Sequence, residues 1–516
     1  MMKNKSRARA GEISLNFSGS FHSVFKQSSN FINGHAAREH CHQPGPCPAP
    51  LLPCIRCTNL IRNPSFESGS SYWWTDCVNI IDLHAFEGNV AANMGPGVAS
   101  MSQEFPLLAL KCHPLFFSFN AYAGFENEFN GALIVEVQWL NAEYNLIRPG
   151  LRMFIPDGRI NHNDRITFFA LTDRVPANAA HARVVFSKGP GIFPDFIIID
   201  QVVLAAISGQ ELMVNGNFET GLLGWRADPE TAFISDYTLP LEGAGHVYTH
   251  FNGTVTQDVC LCGLPPGSTF LFSFAAAGSG QVRLNVRIEW RDINHRLLGS
   301  GLILDIPEET LSAQGNYVSY LNITKPAVPG TAFARIIFTA LIPDPGNYLL
   351  LDQVILTRVE TNNLIVNPGF EAGLSNWEAV YATLVEANDV YEGTADVRLG
   401  EMGGALWQEV ELCHAVGHCY LFSTGLGFRG TNPQSVFGTM LMKVIWLDHC
   451  DHEIGLGLYL TAAISSPTGT VPHWLTYVGI TEPAPPGTVR ARIQFAKTSG
   501  EDGDIEIDNV VFARLI

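Results

Sequence analysis

Residues 363–378 read NLIVNPGFEAGLSNWE, and the sentence is written twice more, as NLIRNPSFESGSSYWW at 59–74 and ELMVNGNFETGLLGW at 211–225. The starts are evenly set, since 211 − 59 and 363 − 211 both equal 152. That period is too long for one unit of a solenoid and suits a whole domain. Three domains are therefore expected, at 59–208, 209–360 and 361–516, behind a leader at 1–58.

Most letters of the repeated sentence have structural work to do. Asn-Pro or Asn-Gly makes a turn, because an Asn side chain mimics a backbone turn and Gly accepts positive φ. Phe66, Phe218 and Phe370 follow as buried anchors. Gly69, Gly221 and Gly373 permit a second turn. Trp73 or Trp74, Trp225 and Trp377 cover the core edge, with Ser70-Ser71-Tyr72 read as lengthening the approach in the first copy.

Working outward, each copy continues through the same segments. An F/L/Y-E-G step (86–88, 241–243, 391–393) precedes a Gln-Glu or Gln-Asp strand. Then come FFSFNAYAG, LFSFAAAG and LFSTGLGF, and next a strand ending in Trp139, Trp290 or Trp446. HARVVF, FARIIF and RARIQF follow, and each copy closes on an apolar run broken by one Asp: FIIIDQVVLAAI, YLLLDQVILTRV or IEIDNVVFARLI. The segments are short, β-branched and aromatic, and LNVRIEW alternates with the period of a half-buried strand. About eight such strands per copy predict an all-β protein, three tandem antiparallel jelly-roll β-sandwiches. Parity places the three strand-end Trp residues in the core.

Two acidic positions resist a packing explanation. Glu67, Glu219 and Glu371 directly follow the buried Phe, and Asp200, Asp352 and Asp508 interrupt the closing strand. A buried carboxylate needs a partner. Two readings stay open: a hard cation such as Ca²⁺ joining first and last strands, or backbone N–H groups donated by a turn.

The opening N-[PG]-x-F-E-x-G-x-x-x-W with a closing I-D-[QN]-V resembles carbohydrate-binding modules of the family 4, 9 and 22 type, among the galactose-binding-like β-sandwiches. The resemblance covers residues 59–516. It implies a structural calcium at Glu67 with Asp200, Glu219 with Asp352 and Glu371 with Asp508, and a sugar-binding cleft on one sheet. Strand parity puts Ser118, Asn120 and Tyr122 opposite the core-facing Phe117, Phe119 and Ala121. Likewise Glu136 and Gln138 point outward, with Arg183 on a further strand. The second copy offers Asn285, Arg287 and Glu289. Such polar groups suit sugar hydroxyls and the Tyr122 ring suits a pyranose face. The competing reading pairs Arg183, Arg335 and Arg492 with facing carboxylates.

Composition narrows the function classes. Of 516 residues 46% are apolar and 16% charged, enough for packed cores, and the net charge of −18 disfavours a phosphate-backbone partner such as nucleic acid. No run of about 18 apolar residues predicts a membrane span. The N-terminus lacks the apolar stretch of a secretory signal. Eleven cysteines include a leader cluster, His40, Cys41, His42, Cys47, Cys54 and Cys57, whose readings are crosslinking, free thiols or zinc. The leader is expected to be mostly disordered and to permit thiol-mediated self-association. Cys413 and Cys419 flank a short connection suited to a local disulfide. Asp448-His449-Cys450-Asp451-His452 is read as a hairpin tip, with a metal site as the alternative. No nucleophile elbow, zinc-protease pair or phosphate loop occurs, and the leader is too short for a catalytic domain. Two functions remain: a non-catalytic binder of polysaccharide or cell-surface glycan, or a structural surface-layer protein, for example of a bacterial spore.

Overall fold

The computed structural model describes residues 58–516 apart from 108–109, 124–128, 161–164, 229–231, 236–237, 312–316, 401–402, 431–437, 463–472 and 499–502. The expectations for the leader and its His/Cys cluster lie outside these residues. The described residues contain strands and no α-helix. None therefore forms a helix long and apolar enough to cross a membrane.

The first repeat has ten strands rather than about eight: β1 (Trp74–Asp76), β2 (Val78–Ile81), β3 (Ala91–Met94), β4 (Ala99–Pro106), β5 (Leu115–Ala123), β6 (Leu133–Leu140), β7 (Leu146–Ile155), β8 (Ile166–Leu171), β9 (His181–Lys188) and β10 (Ile197–Ala206). They form two antiparallel sheets, ordered β1-β4-β9-β6-β7 and β2-β3-β10-β5-β8. Both orders recur in the second and third repeats. The extra strands are short edge pieces that sequence periodicity has too few residues to register.

Alternation works as expected in the first sheet. Val135, Val137 and Trp139 are buried and Glu136 and Gln138 are not. Trp290 and Trp446 are likewise core. The opening segment lies along the closing strand, with Leu60 N–H donating to Leu204 O (2.8 Å) and Val202 N–H to Pro64 O (3.0 Å). The repeated Asn63 Nδ2 caps Gly69 O (2.8 Å), and its carbonyl accepts from Trp73 Nε1 (3.1 Å). Asn215 with Trp225 and Asn367 with Trp377 do the same. Trp73 is thus the equivalent Trp and the first copy is not lengthened at Ser70-Ser71-Tyr72. Trp74 is an additional, exposed ring.

The central strands of the second sheet, β10 and β5 and their counterparts, are buried on both faces, and β10 has no exposed residue. Its far face meets the other two repeats. Phe116, Phe169, Val203, Leu271, Leu321, Leu421, Val478 and Val511, drawn from all three copies, share one apolar cluster. Beside it a ring of hydroxyls closes. Thr167 Oγ1 donates to Thr476 O (2.7 Å), Ser319 Oγ to Thr167 O (2.5 Å) and Thr476 Oγ1 to Ser319 O. The three sandwiches surround a pseudo-threefold axis.

The F/L/Y-E-G steps complete the ring. Phe86 packs in the core cluster of the third repeat, Leu241 in that of the first and Tyr391 in that of the second. Gly88 N–H donates to Thr461 O (2.8 Å), Gly243 N–H to Phe154 O (2.6 Å) and Gly393 N–H to Asp305 O (2.7 Å). Each loop thereby docks on the edge strand of the neighbouring repeat, always in the same rotational sense, and covers an otherwise open sheet edge.

Candidate functional site

The repeated carboxylates converge on the docking loops. Asp200 Oδ2 accepts the N–H groups of Phe86 (2.7 Å) and Glu87 (2.8 Å), and its Oδ1 accepts that of Gln201 (2.7 Å). Glu67 Oε1 takes the next N–H groups of the loop, from Asn89 (2.7 Å) and Val90 (3.0 Å). Asp352 and Glu219 hold the second loop at Leu241, Glu242, Ala244 and Gly245. Asp508 and Glu371 hold the third at Glu392, Thr394 and Ala395. Of the two readings of these acids, backbone capping is met in every repeat. The loop glycine is required for it: a Cβ on Gly88, Gly243 or Gly393 would stand 2.3, 2.2 or 2.1 Å from the capping Glu Oε1.

A third acid per repeat, Glu87, Glu242 or Glu392, lies on the loop itself. Glu87 Oε1 accepts Thr461 N–H (3.0 Å) and Glu242 Oε1 accepts Phe154 N–H (3.3 Å), both across a repeat boundary. Burial, and then the charge of neighbouring carboxylates, raises Asp200, Asp352 and Asp508 well above the usual range. Desolvation pushes Glu242 up to about 7 and Glu392 to about 8. None of these nine carboxylates has an ion-pair partner among the described residues. They are oxygen donors of the kind Ca²⁺ takes, but Glu67, Glu219 and Glu371 are exposed, and among the described residues no three of the nine bring carboxylate oxygens within 4.8 Å of one another.

The residues expected to bind sugar are divided by the fold. Asn120 and Tyr122 lie in the axial sheet, not on an open face. Asn120 is buried, with Nδ2 bonded to Gln201 Oε1 (2.8 Å), and the Tyr122 ring lies under Arg165, 4.3 Å from its guanidinium carbon. They point away from their own core, as parity requires, but toward the other repeats and covering loops. Glu136, Gln138 and Arg183 lie on the outer sheet. Gln138 Nε2 donates to Glu136 Oε2 (2.7 Å), and Arg183 pairs with Glu104, its cross-strand neighbour. Arg335 with Asp258 and Arg492 with Glu409 repeat that pairing, which is the competing reading of these arginines. In the second copy Arg287 Nε donates to Asn285 Oδ1 (2.8 Å) and Arg291 Nε to Glu289 Oε2 (3.0 Å). The outer faces thus carry mutually bonded polar groups, with exposed apolar side chains such as Phe154, Ile303 and Leu456 among them.

A cleft of about 600 Å³ lies where the opening turn of the first repeat meets the edge strand of the third, with Arg62, Tyr72, Glu87, Gln201, Tyr459 and Glu482 among its walls. Strand parity could not find it, because its halves are nearly 400 residues apart and belong to a turn and a sheet edge.

At the third-repeat hairpin, Asp448 Oδ1 accepts the N–H groups of Cys450 (2.8 Å) and His452 (3.0 Å) as a turn cap. The acceptors of Asp448, His449 and Cys450 lie within 4.8 Å of one another. Cys450 is disulfide-bonded, so it offers no thiolate to a metal. Cys413 and Cys419 are also disulfide-bonded, whereas Cys77, Cys112, Cys260 and Cys262 are free and exposed.

No protein-family model matches the chain and no curated protein matches it. Among solved structures it is similar to the tandem CBM22-1–CBM22-2 domain of Paenibacillus barcinonensis Xyn10C, at 14% identity over 60% of this chain and 100% of that one, TM-score 0.25. It is similar to TmCBM61 in complex with β-1,4-galactotriose, at 20% identity over 30% of this chain and 99% of that one, TM-score 0.22. The enzymatically active domain of bacteriophage CBA120 tailspike protein 4 is 21% identical over 30% of this chain, which spans 21% of the tailspike chain, TM-score 0.23.

Proposed function

We propose that the chain is a non-catalytic carbohydrate-binding protein that presents three sandwiches to a polysaccharide or cell-surface glycan at fixed spacing. The observation that supports this is the outer sheet of each repeat. The ring leaves these faces outward, and amide, carboxylate and guanidinium groups on them, as at Glu136 with Gln138 and Asn285 with Arg287, are held by one another before any ligand arrives. Groups ordered in advance lose less entropy on binding, and three rigidly linked faces raise avidity without new contacts. The test is affinity electrophoresis of the whole chain through gels of soluble xylan, β-glucan, galactan or mannan. Retardation in at least one gel is expected; free migration in all four, with a silent glycan array, overturns the reading.

Calcium belongs to the same proposal. Glu67 with Asp200, Glu219 with Asp352 and Glu371 with Asp508 would hold it, beside Glu87, Glu242 and Glu392. A bound ion would balance the charge of these carboxylates and so brace the repeat boundaries. Each occupied site contributes about 2.7 kcal/mol at a hundredfold excess over Kd. Calorimetry with added Ca²⁺ against a chelator is expected to show a melting temperature lower by about 5 °C or more in chelator. Equal melting in both removes calcium from the account.

A second reading, a structural block of a surface layer such as that of a bacterial spore, is favoured by the apolar axis that binds the three repeats together and by the four exposed thiols. Thiol-sensitive multimers on non-reducing gels are its expected mark, and a monomer under oxidising conditions counts against it.

A further inference from the structure

We propose that the cleft between the first and third repeats is a saccharide-binding site of this ring, distinct from the outer sheet faces; this rests on the carbohydrate-binding reading. Its volume, about 600 Å³, falls within the range usual for small-ligand sites. Each contributing repeat brings an exposed tyrosine, Tyr72 from the opening turn and Tyr459 from the edge strand. Each ring has a cation beside it: the Arg62 guanidinium carbon lies 5.4 Å from the Tyr72 centroid and Lys443 Nζ lies 5.2 Å from that of Tyr459. A flat aromatic ring matches the apolar face of a pyranose. The same walls include the acidic residues Glu87 and Glu482, a residue type that accepts sugar hydroxyls.

Two further observations point to a ligand. Gln201 lines the cleft with only 3% of its surface exposed, and its Nε2 is a buried donor with no acceptor. Its Oε1 is already spent on Asn120 Nδ2. A buried unpaired donor costs free energy that an incoming oxygen would recover. The pseudo-threefold axis supplies an internal comparison. Positions equivalent to Tyr72 carry Gly224 and Asn376, and those equivalent to Tyr459 carry Arg152 and Ile303. The pair of rings occurs at one seam of the three, although the docking bonds are common to all.

The test uses the whole chain on the polysaccharide gels and array already described. Tyr72→Asn and Tyr459→Ile install side chains that the fold accepts at equivalent positions, and both tyrosines are exposed, so melting should be unchanged. Each is expected to weaken binding about tenfold, the worth of one stacked ring, while Tyr381→Asn, at an exposed ring outside the cleft, leaves it unchanged; Glu136→Ala with Gln138→Ala reports on the outer face separately. Binding lost only in the Glu136/Gln138 variant overturns the cleft and leaves the carbohydrate reading standing. A wild-type chain that binds no glycan overturns both.

Discussion

Glu211→Asn is expected to stabilise the protein at about pH 8 and to change little at about pH 4. Glu211 opens the second repeat where the others open with Asn59 and Asn363. Both Asn side chains bond two backbone N–H groups through Oδ1 and one carbonyl through Nδ2. Glu211 Oε1 accepts three N–H groups, from Leu212 (2.9 Å), Met213 (2.8 Å) and Leu356 (3.0 Å), and has no donor to return. Part of the residue reaches solvent, yet the carboxylate is enclosed, and burial raises it to about 7 against those bonds. The folded pKa therefore lies above the unfolded one. The folded state holds a proton that the unfolded state releases, so stability falls as pH rises from about 4.5 and levels off above about 7. A rise of that size corresponds to about 3 kcal/mol, or about 2 kcal/mol after discounting for partial exposure. The amide removes this loss and adds a donor. Urea denaturation of both proteins across that pH range checks it; a gain independent of pH, or a loss at pH 8, would sink the explanation.

Leu321→Asp is expected to destabilise the whole ring, not one repeat. Leu321 is fully buried in the axial cluster, two residues from the Ser319 hydroxyl of the threefold ring, and its carbonyl accepts from Asn509 Nδ2 of the third repeat (3.1 Å). A carboxylate there is desolvated among Leu, Val and Phe side chains from three copies. The cost exceeds the 2–5 kcal/mol typical of Leu→Ala at a core site. Because all three repeats share that core, calorimetry should show one broad early transition. Two repeats retaining the wild-type melting temperature would show that the axis does not couple them.

Much of each sandwich was legible in the sequence. The Asn-Pro turn, the Phe anchor and the parity of LNVRIEW all follow from local rules, and the structure places them accordingly. So do the pairings of Arg183, Arg335 and Arg492, since cross-strand neighbours of opposite charge lie within reach. The candidate binding face was legible only in part. Parity assigned Asn120 and Tyr122 to the face opposite the core, but alternation cannot tell a face open to water from one covered by another repeat. The unbroken apolar runs FIIIDQVVLAAI and YLLLDQVILTRV did carry that information, because strands buried on both faces lose their alternation.

The sequence by itself determined that one β-sandwich is written three times and that Phe66, Phe218 and Phe370 anchor each copy in its own core. Those features depend on contacts within one repeat, where a period of two and the chemistry of a few side chains suffice. Only the tertiary structure decided that the three copies close a ring, that the loop Glu residues reach across its boundaries, and that Tyr72 and Tyr459 share a cleft. Those depend on how finished sandwiches pack, and packing is set by the shape and apolarity of whole faces, which no local stretch of residues spells out.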